Sequence, residues 1–331
     1  MNRRLSRRGL LLGSLAAGAL GAMHARVADA TELVIVGNDG WLYPAWEHID
    51  GIPVAAVQDS ANAVAAVHEL LARRGIALCV ALAPSKARIY PNFLPAGTAP
   101  SVEFESHYPR VMELFGTAGV RAPDVLAPML ELRANERLYM RTDSHWTGHG
   151  AELAAEQTAA ALAAGAPPAT PRSDVPIPRG WTELDVDGDL VPLLPERLRK
   201  NFGREPLMVR TFDTGSDLLE PAEPATVAVV GNSYARPVFG FAQMLSYRLQ
   251  QPVELFWRIG SIGPWRCLTD FVDQLSSRRR AALKTIVWQY SDYMMGSGPV
   301  DAGAWGTDNA FPSLAAWLEH VRAGVRGAST R

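Results

Sequence analysis

The chain has 331 residues, of which 48% are hydrophobic and 20% are charged, and its formal net charge is −2. This length and composition support a large buried core, in one large domain or two modest ones, so the chain need not be disordered. The balanced charge, without a block of one sign, excludes broad binding to nucleic acid or anionic membranes through neutralisation of phosphates.

The first 30 residues have the pattern of a secretory signal peptide. Arg7 and Arg8 stand directly before an apolar run at residues 9–23, and Ala28-Asp29-Ala30 supplies the small residues of a cleavage site. The adjacent arginines indicate export through the twin-arginine route. A retained membrane anchor is the alternative, although the apolar run is shorter than the ~20 residues that span a bilayer. Both interpretations predict that residues 31–331 work outside the cytoplasm.

Strands and helices alternate along most of the chain. Apolar runs bounded by glycine or proline predict strands at residues 31–36, 76–83, 121–125, 226–230, 253–259 and 285–289. Helical spacing of apolar residues predicts helices at 60–74, 104–118, 126–135, 150–164, 236–250 and 268–275, and a short one within 304–331. A strand, helix, strand succession at 31–83 is typical of a parallel sheet with helices on its faces, the α/β class.

Proline-rich sequence interrupts this alternation between residues 165 and 178, and the chain stays rich in turns as far as residue 224. We interpret residues 165–224 as an irregular insertion or a lid within a single domain at 31–331. The two cysteines, Cys79 and Cys267, have no catalytic or zinc-binding motif around them. The apolar run around Cys79 favours a buried thiol over a disulfide, and the pairing stays open.

The segment 84–91 follows a predicted strand at its carboxyl end, which is where open α/β sheets bind their ligands. Lys86 and Arg88 are therefore candidates for contact with an anionic group. A solvated loop, with the stems of these side chains packed against the protein, is the simpler alternative.

Three residues have the chemistry of a serine triad. Asp143 and His145 stand two residues apart just before a predicted helix, and Ser233 follows the buried strand at 226–230. Serine becomes a nucleophile when a base takes its proton, and a carboxylate orients that base and stabilises the imidazolium. Backbone N–H groups at a strand-to-helix turn can face an oxyanion, and Asn232 either shapes this turn or donates a side-chain hydrogen bond.

A metal site is the alternative for the same region, because His149 follows His145 by four residues and Asp143 and Glu152 are near. Glycines on both sides of His149 indicate that these residues straddle a helix start and do not share one helical face. We therefore favour the serine triad over a metal site in this region, and separately predict that the chain holds no cofactor.

Five motifs in this order resemble the alginate O-acetyltransferases of the AlgJ and AlgX type, within the SGNH hydrolase superfamily. The resemblance covers about residues 41–295. The motifs are Gly40-Trp41-Leu42-Tyr43, Pro84-Ser85-Lys86-Ala87-Arg88-Ile89-Tyr90, Asp143-Ser144-His145-Trp146, Gly231-Asn232-Ser233-Tyr234 and Val287-Trp288-Gln289-Tyr290.

The resemblance implies a flavodoxin-like three-layer α/β/α sandwich with a mainly parallel sheet. It implies a periplasmic enzyme that acetylates hydroxyls of an exported polysaccharide, with acetyl groups supplied by a separate membrane-bound O-acyltransferase within an export complex. It makes Ser233 the nucleophile, His145 the general base and Asp143 its orienting partner. Arg266 and Tyr290 are further candidates for the substrate cleft, by approximate position.

Two departures from the family pattern matter. Asn232 replaces the threonine usual before the serine, and no carbohydrate-binding module is evident after Met295. Polymer binding then falls to the cleft, to the 165–224 insertion or to a partner. The alternative functions are a secreted carbohydrate or lipid esterase with the same triad, and a non-catalytic polysaccharide-binding export component.

Overall fold

The computed structural model of the protein describes residues 33–165, 170, 172–213 and 223–327. The predicted signal peptide, residues 1–30, lies outside these ranges. Within them, none of the helices combines the length and the apolar character that crossing a bilayer requires.

The predicted helices and most of the predicted strands are present among the described residues, joined by short turns and single-turn 3-10 helices. The strands are β1 (Val34–Val36), β2 (Leu42–Pro44), β3 (Ala77–Ala83), β4 (Ile177–Val186), β5 (Glu205–Asp213), β6 (Val227–Gly231), β7 (Val253–Trp257) and β8 (Thr285–Ser291). The α-helices are α1 (Val54–Ala72), α2 (Lys86–Ile89), α3 (Val102–Thr117), α4 (Leu126–Leu132), α5 (Gly148–Ala163), α6 (Glu196–Arg199), α7 (Phe241–Leu249), α8 (Gly263–Asp273), α9 (Ser277–Ala282), α10 (Ala302–Trp305) and α11 (Leu314–Arg326).

The central sheet has four parallel strands in the order β3-β8-β6-β7. Strand β6 lies inside it, and Val229 is paired with Val287 on one side and with Leu255 on the other. All five residues of β6 are buried. A continuous β-branched apolar run is what a strand covered on both faces requires. The carboxyl ends of β3, β6 and β8 therefore meet at one edge of the sheet.

Helices cover both faces of this sheet. Leu78 and Val80 on β3 pack into a core cluster with side chains of α1, α3, α8 and α11. The alternating residues Cys79 and Ala81 pack into a second cluster with α4, α5 and α7. This alternation follows from the period of two in a strand. The predicted three-layer α/β/α sandwich is thus confirmed.

Two predicted strands are absent from the central sheet. Val34–Val36 instead pairs antiparallel with Leu42–Pro44 as a separate two-stranded sheet. At residues 121–125, the structure has a single bridge between Arg121 and Cys79. Pro123 lacks the N–H that a continued ladder needs, so pairing stops there.

Both cysteines are buried and free. Burial raises the pKa of each thiol to about 12, which keeps Cys79 and Cys267 neutral. The predicted buried thiol at Cys79 is confirmed.

The 165–224 segment contains regular structure where the sequence predicts turns. Strands β4 and β5 form an antiparallel ribbon that pairs Val186 with Glu205 and Ile177 with Asp213. Most side chains of β4 are exposed or half-buried, so the ribbon lacks the apolar alternation that identifies a strand from sequence. The ribbon is nevertheless anchored, because Leu207 and Val209 on β5 join the core beside α5.

Candidate active site

Ser233 lies at the carboxyl edge of the central sheet, where β6 passes into the 3-10 turn Ser233–Ala235. The Asn232 side chain shapes this turn by accepting a hydrogen bond from the Tyr234 N–H at 3.0 Å. A Cβ added at Gly231 would lie 2.7 Å from the Ala235 Cβ, so the residue before Asn232 must be small. The turn leaves Ser233 partly exposed while its neighbours are buried.

Asp143 and His145 lie in the turn that precedes α5. One Asp143 oxygen, Oδ1, lies 2.6 Å from His145 Nδ1 and also accepts the His145 backbone N–H at 2.8 Å. The other ring nitrogen, Nε2, lies 2.7 Å from Ser233 Oγ. The structure therefore brings the three sequence-predicted residues into one hydrogen-bonded row, although 88 positions separate His145 from Ser233.

This row has the polarity that base catalysis needs. A proton on Nδ1 is held by the Asp143 carboxylate, so the lone pair of the neutral imidazole lies on Nε2, facing the Ser233 hydroxyl. Burial alone would lower the pKa of His145, but the Asp143 and Asp189 carboxylates outweigh it and raise that pKa to about 9.

Aromatic side chains and backbone contacts fix the His145 turn against the Ser233 turn. The His145 ring packs between Tyr234, at 4.8 Å between centroids, and Phe239, at 5.5 Å. The Tyr234 hydroxyl donates to the Ser144 carbonyl at 2.5 Å, and the buried Trp146 indole donates to the Tyr234 carbonyl at 2.9 Å. The two halves of the row are thus tied together through Tyr234.

Asp189 is a second acidic residue at His145 that the sequence did not reveal. Its Oδ2 lies 3.3 Å from His145 Nδ1, and it comes from the segment between β4 and β5. The sequence Asp187-Gly188-Asp189 has the appearance of an ordinary turn, so no local signal marks it.

Lys86 does not face a ligand, contrary to the sequence-based candidacy. Its side chain is fully buried, and Nζ donates to the carbonyls of Leu42 at 2.5 Å, Arg141 at 2.8 Å and Asp143 at 3.0 Å. Burial lowers the pKa of Lys86 to about 8, and nearby Glu47 opposes that shift. All three of these hydrogen bonds are internal, so the ammonium links the Leu42 segment to the chain on either side of Thr142.

Arg88 is likewise occupied within the protein. Its guanidinium lies 3.3 Å from Asp292 Oδ2 and donates to the Phe104 carbonyl at 2.7 Å. The alternative of a solvated loop is therefore also wrong for this segment, because the head groups of Lys86 and Arg88 are packed inward with their stems.

Tyr290 and Arg266 do not contact the row. Tyr290 is fully buried in the core, and its hydroxyl donates to Met295 Sδ at 3.4 Å. Arg266 on α8 donates to Asp270 at 2.8 Å and to the Asp308 carbonyl at 3.2 Å. Side chains alternate between the two faces of β8, and Tyr290 falls on the face covered by α1, α3, α8 and α11. Its position in a motif does not reveal this orientation.

Besides Asp189, the sequence also did not single out Gly260 and Arg236, which lie near Ser233 or its turn. A Cβ added at Gly260 would lie 3.9 Å from Ser233 Oγ, so Gly260 borders the Ser233 hydroxyl. The Arg236 guanidinium lies 5.0 Å from the Phe239 ring, and its buried Nε has no hydrogen-bond partner in the described ranges. The position of Gly260 directly after a predicted strand was the available signal.

His149 belongs to a different surface. Its Nδ1 lies 2.6 Å from Glu136 Oε2 and its ring packs against Trp181 at 3.8 Å, in an open groove of about 420 Å³. Among the described residues, the acidic, histidine and cysteine side chains close enough to share a metal ion are Asp143, His145 and Asp189. Hydrogen bonds link Asp143 to His145 Nδ1 and to the Asp189 backbone N–H, and these bonds account for the approach of the three residues.

The family model of the SGNH hydrolase-like domain of acetyltransferase AlgX matches residues 34–292 of the chain. "Probable alginate O-acetylase AlgJ" of Pseudomonas syringae pv. tomato is 28% identical over 271 residues, covering 78% of this chain and 68% of that protein. The protein of the same name from Pseudomonas putida is 30% identical over 279 residues, covering 78% of this chain and 69% of its own length.

Solved structures show the same likeness. The O-acetyltransferase domain of Pseudomonas putida AlgJ superposes with a TM-score of 0.70 at 26% identity, covering 87% of this chain and 98% of that one. Pseudomonas aeruginosa AlgX superposes with a TM-score of 0.63 at 20% identity, covering 80% of this chain and 63% of that one. The second likeness, at this identity, concerns the fold alone.

Proposed function

Since this chain belongs to the SGNH hydrolase-like acetyltransferase family of AlgX, we propose that it transfers acetyl groups to polysaccharide hydroxyls through an acetyl-serine on Ser233. The observation that carries the proposal is the row from the Asp143 carboxylate through His145 to Ser233 Oγ, with distances of 2.6 and 2.7 Å. Such a row supplies a nucleophile, a base and a carboxylate that orients the base.

The first half-reaction loads the enzyme. Ser233 Oγ attacks the acetyl carbonyl carbon of the donor, and its proton passes to His145 Nε2. The new C–O bond turns the carbonyl oxygen into an oxyanion. Collapse of this intermediate breaks the bond to the leaving oxygen of the donor, which takes the proton from Nε2 and departs. The acetyl group then sits on Ser233 as an ester.

Backbone N–H groups beside Ser233 are suited to stabilise the oxyanion. The amides of Tyr234, Ala235 and Arg236 are used within the turn, on Asn232 and on the Ser233 carbonyl. The N–H groups of Ser233 and of neighbouring Gly260 are therefore our candidates for the oxyanion site. Fixed amide dipoles of this kind cost no reorganisation when the charge develops.

The second half-reaction unloads the acetyl group to a sugar. A hydroxyl of the acceptor gives its proton to His145 Nε2 and attacks the acetyl carbon, and the ester bond to Ser233 Oγ breaks as Oγ takes the proton back. Transfer outcompetes hydrolysis when a bound acceptor places its hydroxyl at a high effective concentration. Arg236, whose guanidinium packs on Phe239 and whose buried Nε has no hydrogen-bond partner among the described residues, is our candidate for contact with an anionic acceptor.

The names of the relatives direct the proposal to alginate or a similar exported polysaccharide as the acceptor class. The acetyl donor is proposed to come from a separate membrane-bound O-acyltransferase, with other export proteins as further partners and no cofactor held by the chain itself. A periplasmic site of action accords with the secretory pattern of residues 1–30.

Substitution of the nucleophile tests the proposal. In Ser233→Ala, hydrolysis of a chromogenic acetyl ester should fall by roughly 10³-fold or more, because no acyl-enzyme forms. Ser277→Ala, at an exposed serine on α9, is the matched control and should retain full turnover. Full activity of Ser233→Ala, with the circular dichroism spectrum unchanged, would show that Ser233 is not the nucleophile.

A second measurement separates a transferase from an esterase with the same triad. Oligosaccharide of the acceptor class is incubated with the protein and an acetyl ester donor, and its mass is followed by mass spectrometry. Gain of acetyl groups that depends on Ser233 is the expected result. Loss of acetyl groups from an acetylated oligosaccharide, without any gain, would assign the chain as an esterase.

A further inference from the structure

We propose that Asp189 is a positioning residue for His145, acting together with Asp143, so that the site is a tetrad of Ser233, His145 and two carboxylates. The inference rests on the proposed function, because it assigns a role within the same site. It also gives the 165–224 segment a role in the site, because this segment would supply the second carboxylate beside His145 in addition to any role as a lid.

Asp189 contacts the His145 turn with both of its carboxylate oxygens and with its backbone. Oδ1 accepts the Ser144 N–H at 2.6 Å, and Oδ2 accepts the Ser144 hydroxyl at 2.7 Å. Oδ2 lies 3.3 Å from His145 Nδ1. The Asp189 N–H donates to Asp143 Oδ2 at 3.0 Å. One residue thus contacts three consecutive residues of the turn that carries the base.

Backbone contacts hold Asp189 in this place independently of its side chain. We call residues 187–190 the strap. They lie between β4 and β5 and contact the turn that carries Asp143 and His145. The Leu190 N–H donates to the Thr142 carbonyl at 3.2 Å, and a Cβ added at Gly188 would lie 2.3 Å from that same carbonyl oxygen. Glu205 at the start of β5 accepts the Thr142 N–H at 2.7 Å. An amide in place of the Asp189 carboxylate should therefore leave the strap where it is.

The charges around His145 explain what a second carboxylate adds. Asp143 and Asp189 both approach Nδ1, so the imidazolium faces two negative charges. The same arrangement lowers the pKa of Asp189 to about 2, because nearby His145 and the hydrogen bonds from Ser144 outweigh the desolvation of a side chain that is still 40% exposed. Other titratable or charged side chains around this cluster are Lys86, Glu47, Glu205, Tyr234 and Tyr293.

A residue that only held the turn would leave the proton affinity of His145 unchanged when replaced by an isostere. The test is therefore the His145 pKa in Asp189→Asn, followed by NMR titration of the imidazole carbon-bound proton. Comparison with the His145→Gln spectrum assigns the His145 signal among the seven histidines. Asp187→Asn is the matched control, because Asp187 lies on the same strap with a side chain that is 83% exposed and 3.8 Å from Arg204.

Loss of the Asp189 charge should lower the His145 pKa by roughly one unit, while Asp187→Asn should match the wild type. The rising limb of the pH–rate profile for acetyl ester hydrolysis should move to lower pH in the same variant. An unchanged His145 pKa in Asp189→Asn overturns the inference. Asp189→Ser, measured in the same way, serves if the Asn variant does not fold.

The titration also separates this inference from the proposed function. If the wild type and Ser233→Ala turn over acetyl esters equally, the proposed function fails, while the titration still decides whether Asp189 controls the His145 proton. If Ser233→Ala is inactive and the titration shows no effect of Asp189, the triad stands and the tetrad fails.

Discussion

His145 combines burial with two close carboxylates, and its protonation state follows from which of these dominates. Burial favours the neutral ring, whereas Asp143 and Asp189 favour the imidazolium and raise the pKa from 6.5 to about 9. Near neutral pH, the resting ring therefore carries a proton on Nε2 as well, which it donates to Ser233 Oγ. In the proposed mechanism, His145 must lose this proton before it can accept one from Ser233.

We therefore expect kcat/KM for a chromogenic acetyl ester to rise with pH. The neutral fraction of His145 grows about tenfold for each pH unit below its pKa and levels off above about 9. Initial rates between about pH 6 and pH 10 measure this profile. A profile that is flat across the neutral range, or that falls toward alkaline pH, would contradict the assignment of His145 as the base.

The same ion pair affects stability with a defined sign. Because the folded pKa of His145 lies above the ordinary 6.5, the pair stabilises the fold fully below about pH 6.5 and loses its contribution as the pH rises through about 9. Rising activity and falling stability in the same pH window thus have one cause, the release of the imidazolium proton.

At the scale of elements, turns and the strap position the side chains of the site. The central sheet supplies the edge at which these segments meet. Helix α2 begins with Lys86, whose ammonium ties the carbonyls of Leu42, Arg141 and Asp143. The strap contacts the same turn through Thr142, Asp143 and Ser144. The buried cation and the second carboxylate together leave the Asp143–His145 turn little freedom.

The close approach of the strap predicts the effect of a single methyl group. In Gly188→Ala the new Cβ would lie 2.3 Å from the backbone oxygen of Thr142, which cannot move without displacing the turn. We expect the free energy of unfolding to fall by about 1–3 kcal/mol, since overpacking forces backbone shifts. Urea denaturation followed by tryptophan fluorescence measures the loss.

Gly180→Ala is the matched control for this substitution. Gly180 lies on the same ribbon in β4, and a Cβ added there meets no atom within 4 Å. The control should retain wild-type stability and ester hydrolysis, while Gly188→Ala should lose turnover as Asp189 moves away from His145. Equal behaviour of the two variants would show that the strap tolerates displacement.

At the scale of the whole molecule, the sequence predicts those features of the fold and the site whose signal lies within a few neighbouring residues. The apolar run of β6 and the paired Asp143 and His145 are visible because their signals lie within a few residues. The contacts of Lys86 and Asp189 join segments 44 to 57 positions apart, and nothing local marks them. Their environment, which buries the Lys86 ammonium and brings Asp189 next to His145, exists only after the chain has folded.

The layered architecture also predicts an order of local stability. Strands β6 and β8 are paired within the parallel sheet and covered by helices on both faces, and β6 is buried throughout. In contrast, β4 and β5 pair only with each other within the described residues, and no residue of β4 is fully buried. A two-stranded ribbon has little cooperative support of its own.

Amide hydrogen exchange followed by mass spectrometry should therefore show the slowest exchange in β6 and β8 and markedly faster exchange in β4. Opening of the ribbon would carry Asp189 away from His145 without unfolding the sheet. We expect occupation of Ser233 to favour the closed ribbon, so that amide exchange slows in the strap and stays unchanged in β6. A sulfonyl fluoride that modifies serine provides the occupied state, with Ser233→Ala as the control that cannot react. Exchange in β4 as slow as in β6 would show that the ribbon unfolds only with the core, and Asp189 would then be a fixed part of the site.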